Sequence, residues 1–303
     1  MMASPKAGHK TVLITGCTPG GIGHALCLQY HRQGHHVIAT ARRLEVLDGM
    51  AEMGMTTLPL DVTDESSVHA CHAEVAKLTG GRLDILINNA GRVHTHPATD
   101  LDIPDVRQTF ESNVFGVMAM VKGFIKLLVP ARGLIINIAS ASAVSGYVFG
   151  SAYAASKAAV ISYSRVLRLE VAPLGVRVMC VMAGTVQSNI STHGFRALPA
   201  DSLYQQVKDI FEWRLNFSQQ TKAMPAAQFA THLVEASLRP EYPVFLRAWL
   251  GRPDWLWYGG TSGIVWFTHS VGEWLNDTLC YKAFKVGDMK KVLLNDNERQ
   301  KLK

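Results

Sequence analysis

"KTVLITGCTPGGIG", Lys10 to Gly23, runs from an apolar stretch through a glycine-rich turn into an amphipathic segment, Ile22 to Gln33, that ends at Gly34. A strand that feeds a helix through glycines points the first backbone N–H groups of the helix at whatever the loop encloses. The helix dipole makes that end positive. The pattern suits a diphosphate. Gly16 allows the turn, Gly21 a close backbone approach, and Gly23 tight packing of helix on strand. Thr18 and Ile22 complete the expected contact set. Four residues separate Gly16 from Gly21, and the extra one is placed at Pro19.

Downstream, short apolar runs keep alternating with longer amphipathic ones. "HHVIATAR", "TTLPLDV", "LDILINNAG", "GLIINIAS" and "VRVMCVMAG" read as strands. "ESSVHACHAEVAKL", a segment ending near Pro130, and "SAYAASKAAVISYSRVLRLEVA" read as helices between them. Apolar strands buried on both faces and joined by helices predict a parallel sheet with right-handed crossovers. The expected fold class is therefore α/β: a single doubly wound Rossmann-type domain over residues 1–250, with a mostly parallel seven-stranded sheet. The seventh strand is placed near "YPVFLRAW", a lid over about 188–225, and an aromatic, helical C-terminal extension over 251–303.

The bulk numbers are those of an ordinary globular protein. The chain has 303 residues, 48% hydrophobic and 18% charged, with a net charge of +6. The positive charges are scattered and accompany no recognition motif, so nucleic acid is not expected as a partner. Five widely spaced cysteines form no metal-ligand pair and no disulfide framework. No metal site is expected; the twelve histidines, His35–His36 and His94/His96 among them, are placed on surfaces. The N-terminus lacks an apolar secretory core, and no uninterrupted apolar run of about 18 residues suggests a bilayer span. These features predict a cytoplasmic, non-secreted protein.

Ligands of such sheets bind beyond the carboxyl ends of the strands, and polar residues collect there. The second strand ends in "ATARR", with Arg42 and Arg43 and no acid. An acidic residue at that place would hold a ribose 2′-hydroxyl, whereas a guanidinium suits a 2′-phosphate. NADPH/NADP+ is the expected cofactor, with Arg42 on one side of the 2′-phosphate and Thr18 on the other. After the fifth strand, Tyr153 and Lys157 stand four apart on one helix face. The ammonium is expected to lower the phenol pKa and make it a proton donor near neutrality. Tyr204/Lys208 and Tyr281/Lys285 share the spacing, and Ser191 precedes Tyr204 as Ser140 precedes Tyr153. Position separates them: only Ser140 ends a buried strand and only Tyr153 opens the next crossover helix. The other two pairs are expected to be solvated helix faces.

Together these residues resemble the short-chain dehydrogenase/reductase family over about residues 10 to 190. The motifs run in the family's order: Thr15–Gly23, "LDV" with Asp61, "NNAG" at Asn88–Gly91, "NVFG" with Asn113, Ser140, and "YAASK" at Tyr153–Lys157. The resemblance implies that Tyr153 donates the proton, and that Lys157 tunes it and binds the nicotinamide ribose. It further implies that Ser140 polarises the substrate carbonyl and Asn113 holds a relay water. Asp61 would meet the adenine; Asn89, Ala90 and Gly91 would line the cofactor, as would Gly184, Val186 and Ser188 in "AGTVQS". That segment departs from the family's P-G-x-V-x-T through Ala183 and Ser188. "ATARRLE", "NVFG", "FGSAYAASKAA" and "MPA" at Met224–Ala226 look most like the fungal 1-acyldihydroxyacetone-phosphate reductases. This implies reduction of a lipid-type ketone on lipid droplets or endoplasmic reticulum, with polyketide-type ketones as the alternative substrate and a non-catalytic NADP(H)-binding scaffold as a third reading.

A small-molecule ketone is thus the expected partner, and a homo-oligomer is implied by the family. A phosphorylated lipid would want lid cations, and Arg196, Lys208, Arg214 and Lys222 are available. Five tryptophans between Trp249 and Trp274, followed by Lys282, Lys285, Lys290 and Lys291, read as an interfacial membrane contact through 250–280, a roof over the site, or a packed interface.

Overall fold

The computed structural model describes residues 9–188, 196–220 and 223–301. Seven strands form one sheet: β1 (Thr11–Ile14), β2 (His36–Ala41), β3 (Thr56–Pro59), β4 (Ile85–Asn88), β5 (Leu134–Ile138), β6 (Arg177–Ala183) and β7 (Trp255–Tyr258). Their order is β3-β2-β1-β4-β5-β6-β7, and every pair is parallel. All carboxyl ends therefore lie along one edge. The order reverses between β1 and β4, and there the crossovers leave to opposite faces and open a crevice.

Helices cover both faces. They are α1 (Ile22–Arg32), α2 (Asp48–Glu52), α3 (Glu65–Thr79), α4 (Ile103–Phe110), α5 (Gly116–Ala131), α6 (Ser151–Val171), α7 (Lys208–Gln220) and α8 (Ala226–Leu238). Then follow α9 (Arg247–Leu250), α10 (Ser262–Val271), α11 (Glu273–Ala283) and α12 (Val286–Lys301). One core joins α1 and α8 to the sheet through Leu26, Tyr30, Phe229 and Leu233. The other packs α3 and α5 through Val68, Val75, Phe124 and Leu128. Residues 103–131 form a continuous helical stretch that by length and composition could cross a membrane. Its apolar side, with Met120, Phe124 and Leu128, is instead the core under the sheet.

The seventh strand is not where the sequence pattern put it. Residues 242–249 do not pair with β6. Pro243 heads a turn whose carbonyl accepts Leu246 N and Arg247 N, and Val244 and Phe245 are exposed. The strand beside β6 is "WLWY", past residue 250. Charge explains the choice. Asp254, immediately before β7, accepts from Arg168 (2.9 Å), Arg177 (2.5 Å) and Arg247 (3.3 Å), which pins that residue at the start of β6. An Asp254→Asn variant keeps the shape but leaves these guanidiniums short of an anion in a mostly buried setting. It is expected to lose about 3 kcal/mol of stability in urea unfolding, with β7 and the elements after it losing hydrogen-exchange protection first.

Candidate active site

The glycine loop is built on a seam between β1 and β4. Thr15 Oγ1 accepts from Asn89 N (3.0 Å) and Ala90 N (2.9 Å), and Asn89 Nδ2 donates to the carbonyls of Thr15 (2.9 Å) and Gly16 (3.0 Å). Asn89, expected to line the cofactor, spends its amide on holding the loop. Gly16 has φ +71°, and a Cβ there would stand 2.9 Å from Ala90 Cα. Only glycine fits. Gly21 N donates to Thr18 O (3.2 Å) across Pro19 and Gly20, and Gly20 has φ +79°. Proline followed by a left-handed glycine is the pattern of a type II turn, so the extra residue is absorbed at Pro19. A Cβ on Gly23 would lie 2.5 Å from Gly16 O, which accounts for the tight seating of α1.

The start of α1 fits an anion. Gly21 is its N-cap, no side chain caps it, and its first turn, which begins with Ile22 and Gly23, holds no acid. The donors of that turn have no side-chain acceptor. Thr18 at the loop tip and Arg42 at the end of β2 are both exposed. Arg43 pairs with Glu45 at 3.8 Å, while Arg42 makes no ion pair among the described residues. Asp61, after β3, accepts Thr63 N (3.0 Å) and Oγ1 (2.7 Å). The residue set matches a dinucleotide with a 2′-phosphate. Gly184 and Val186 lie just past β6: Gly184 N donates to Tyr258 O, and Val186 bridges to Met224. Ser188 is the last described residue before the gap.

The catalytic candidates converge at the ends of β4 and β5. Asn113 sits in a π-turn, Glu111–Phe115, that joins α4 to α5. Such widened turns turn a side chain inward. Its carboxamide accepts Arg92 N (2.8 Å) and donates to Arg92 O (3.0 Å) and Ser156 Oγ (2.9 Å). A Cβ on Gly91 would press to 2.8 Å from Asn113 Oδ1. Lys157 is buried, its Nζ 2.8 Å from Ile138 O and 5.9 Å from the Tyr153 ring centroid. Ser140, two residues past β5, caps the turn Ala141–Val144.

The electrostatics depart from expectation. Burial, with the neighbouring Tyr147 adding to it, pushes the Tyr153 phenol well above the ordinary tyrosine range, against a downward pull from the Ser140 hydrogen bond. Burial lowers Lys157 to about 8, partly offset by Cys180. The expected depression of the phenol by Lys157 is not seen: its ammonium faces the Ile138 carbonyl and stands over the ring, 5.9 Å from the centroid, and desolvation dominates.

Several neighbours had no motif to announce them. Tyr147 lies 6.2 Å from the Tyr153 ring and meets Phe284 edge-on at 5.9 Å. Arg214 of α7 is 2% exposed, lies 4.0 Å over Tyr147, and donates to Val148 O (2.9 Å). Phe149, at φ +60°, packs on Tyr204 and Phe211. From α11, Asn276 Nδ2 donates to Val144 O (2.8 Å). Arg214 of α7 and Phe284 after α11 therefore close on Tyr147, the neighbour of Tyr153.

Other placements are corrected. His94 and His96 are buried: His94 Nδ1 meets Thr109 Oγ1 (3.1 Å), and His96 Nε2 meets Ala197 O (3.2 Å). Ala197 and Phe211 cover the loop after β4 at His96, and neither ring reaches a surface. Desolvation lowers His94 to about 4, so it is neutral above that pH. Tyr204 packs on Phe149 ahead of α7, and Lys285, past the end of α11, lies 4.2 Å over Trp213. Tyr281, Lys285 and Lys208 are exposed, as expected of solvated pairs, but Tyr204 is half-buried and Lys285 lies past the helix end. Of the lid cations, Arg196 binds Asp105 (2.6 Å), Lys208 pairs with Glu212 (3.7 Å), and Arg214 is buried. Lys222, Ser191 and the rest of 189–195 and 221–222 lie outside the described residues.

Comparison with known proteins gives one family. Residues 10–197 match the model described as short chain dehydrogenase. The short-chain dehydrogenase fogD of Aspergillus ruber is 39% identical over 299 residues, 96% of this chain and 99% of that protein. The NADPH-dependent 1-acyldihydroxyacetone phosphate reductase of Schizosaccharomyces pombe is 46% identical over 201 residues, 65% of this chain and 68% of that one. Among solved structures, a short-chain dehydrogenase from Streptomyces avermitilis superposes with a TM-score of 0.73 at 26% identity, covering 94% of this chain and 98% of that chain.

Lys157 has a pH signature. Its folded pKa of about 8 lies below its ordinary 10.5, so between those values the unfolded chain binds more protons and stability from this group rises with pH. Urea midpoints of wild type and Lys157→Met at pH 7.5 and 10 are expected to diverge, with the rise attributable to Lys157 absent from the variant.

Proposed function

The chain belongs to the short-chain dehydrogenase/reductase family, and from that premise we propose that it reduces a ketone to a secondary alcohol with NADP(H) as its cofactor. The observation that carries this reading is the meeting of Ser140, Tyr153, Lys157 and Asn113 at the strand edge that also holds the uncapped start of α1. When bound, NADPH supplies a hydride to the carbonyl carbon. Ser140 holds the carbonyl oxygen, and Tyr153 gives its phenolic proton to that oxygen as charge develops there. Lys157 lies close enough to stabilise the resulting phenolate, and Asn113 holds the Arg92 backbone and Ser156 that frame the lysine. The raised phenol keeps the proton on Tyr153 until the oxygen can take it.

The substrate is a ketone with a large apolar part. Tyr147 stands beside Tyr153 and Phe284 packs on Tyr147, so an acyl chain or a fused aromatic system suits the wall. The Schizosaccharomyces pombe relative supports 1-acyldihydroxyacetone phosphate as the representative substrate. A polyketide-type aromatic ketone is favoured by the engagement of Arg196, Lys208 and Arg214 within the lid. A homo-oligomer goes with the family reading.

The C-terminal helices have a lipid-facing role in the same account. Ile264, Phe267 and Val271 recur along α10, and with Trp266 (51%) and Trp274 (68%) they are exposed. Their place after β7 puts them at the edge that carries the site, suiting entry of an apolar substrate from a membrane surface. Trp249 precedes β7 and belongs to the opposite edge, so the five tryptophans are not one surface.

Three measurements test these readings. Tyr153→Phe is expected to lower ketone reduction at least about 10²-fold while NADPH still binds. Thr18→Ala and Arg42→Ala are each expected to lower the preference for NADPH over NADH about tenfold, the worth of one charge-assisted hydrogen bond; an unchanged preference removes these two residues from the 2′-phosphate site. Cosedimentation with anionic liposomes is expected to be lost in a Trp266→Ser/Phe267→Ser/Trp274→Ser variant, and equal cosedimentation contradicts the lipid-facing role.

A further inference from the structure

Ser142 has no part in the family pattern used above, yet it is buried against the reaction centre. Its hydroxyl donates to Ser140 Oγ at 2.8 Å, and its backbone N–H donates to the same oxygen at 3.2 Å. A serine oxygen has two lone pairs and one proton. With both lone pairs of Ser140 engaged by Ser142, the hydroxyl of Ser140 can act outward only as a donor. A carbonyl oxygen, which accepts and cannot donate, requires that state.

We propose that Ser142 is a positioning residue that fixes the Ser140 hydroxyl as a hydrogen-bond donor toward the substrate carbonyl oxygen. The inference rests on the reductase reading of the site. The turn that carries it is held from outside: Ala143 N donates to Ser140 O (3.1 Å), and the buried Asn276 of α11 donates to Val144 O (2.8 Å). Ser142 therefore cannot swing away without breaking the turn. A hydroxyl with a free rotor would spend part of its time donating back toward its own turn. Locking it removes that reorganisation before hydride transfer, which is where preorganised donors contribute to rate.

The test is a double-mutant cycle with a structural readout beside it. Ser142→Ala is expected to lower kcat about tenfold, one hydrogen bond's worth, with the KM for NADPH unchanged, and Ser142→Thr is expected to restore most of it. In a Ser140→Ala background the Ser142→Ala change is expected to cost less than about twofold, since residues acting through one another are not additive. A full tenfold loss in that background places the action of Ser142 elsewhere and overturns the proposal. Crystal structures of the wild type, Ser142→Ala and Ser142→Thr forms read the same claim without turnover. Ser140 is expected in a second rotamer only in the alanine variant, and a single unchanged rotamer there overturns the proposal. Wild-type inactivity on every ketone, with Ser140 freed in Ser142→Ala, would instead count against the reductase reading alone.

Discussion

Thr15 and Asn89 tie the carboxyl ends of β1 and β4 together with four hydrogen bonds, and the site exists because of that seam. In an all-parallel sheet the strands end on one edge, and the reversal of strand order opens a crevice between β1 and β4. Two loops meet there that would otherwise be held only by their own strands. The seam presses Gly16 against Ala90, which leaves no room for a side chain, and sets the angle at which α1 leaves. Gly91, next along, abuts Asn113, and Asn113 reaches Ser156 beside Lys157. The glycine loop and α6 are thus linked by a short run of polar contacts.

Burial governs the chemistry of this run. Lys157 and Tyr153 both lie out of water, so each is pushed toward its neutral form. A neutral phenol is what a proton donor needs, and a lysine lowered to about 8 still carries its charge near neutrality. α7 and the C-terminal helices add to that burial. Phe284 and Arg214 close on Tyr147, and Arg214 makes no ion pair among the described residues; aromatic faces and the Val148 carbonyl surround it instead. Residues more than 60 positions after Tyr147 therefore complete the wall beside Tyr153.

Much of this was legible in the chain because the period of alternation and the spacing of polar residues at strand ends are local properties. The first six strands, α1, α3, α6 and the position of Pro19 in the loop follow from segments of about 5 to 20 residues. What was not legible depends on distant partners. "YPVFLRAW" has strand composition, but Arg168, Arg177 and Arg247 select the segment after Asp254, and the charge pairing of residues 7 to 86 apart leaves no local mark. His94 and His96 looked like surface polar residues because the lid that covers them arrives a hundred residues later. The Tyr153–Lys157 pair follows from spacing and from its position after β5, and these carry neither the direction of the ammonium nor the depth of burial. Ser142 shows the same limit at short range: its separation from Ser140 is plain, but only the tight turn brings the two oxygens together.

The central claim is that this site transfers hydride to a ketone carbon while Tyr153 protonates the oxygen. It is tested most directly by reducing an apolar ketone with NADPH deuterated at the reactive nicotinamide carbon. The account predicts one deuterium on the carbinol carbon of the product, a hydroxyl proton from solvent, and a primary isotope effect in single turnover. NADPH that binds tightly but yields no deuterated alcohol from any long-chain or aromatic ketone would contradict it.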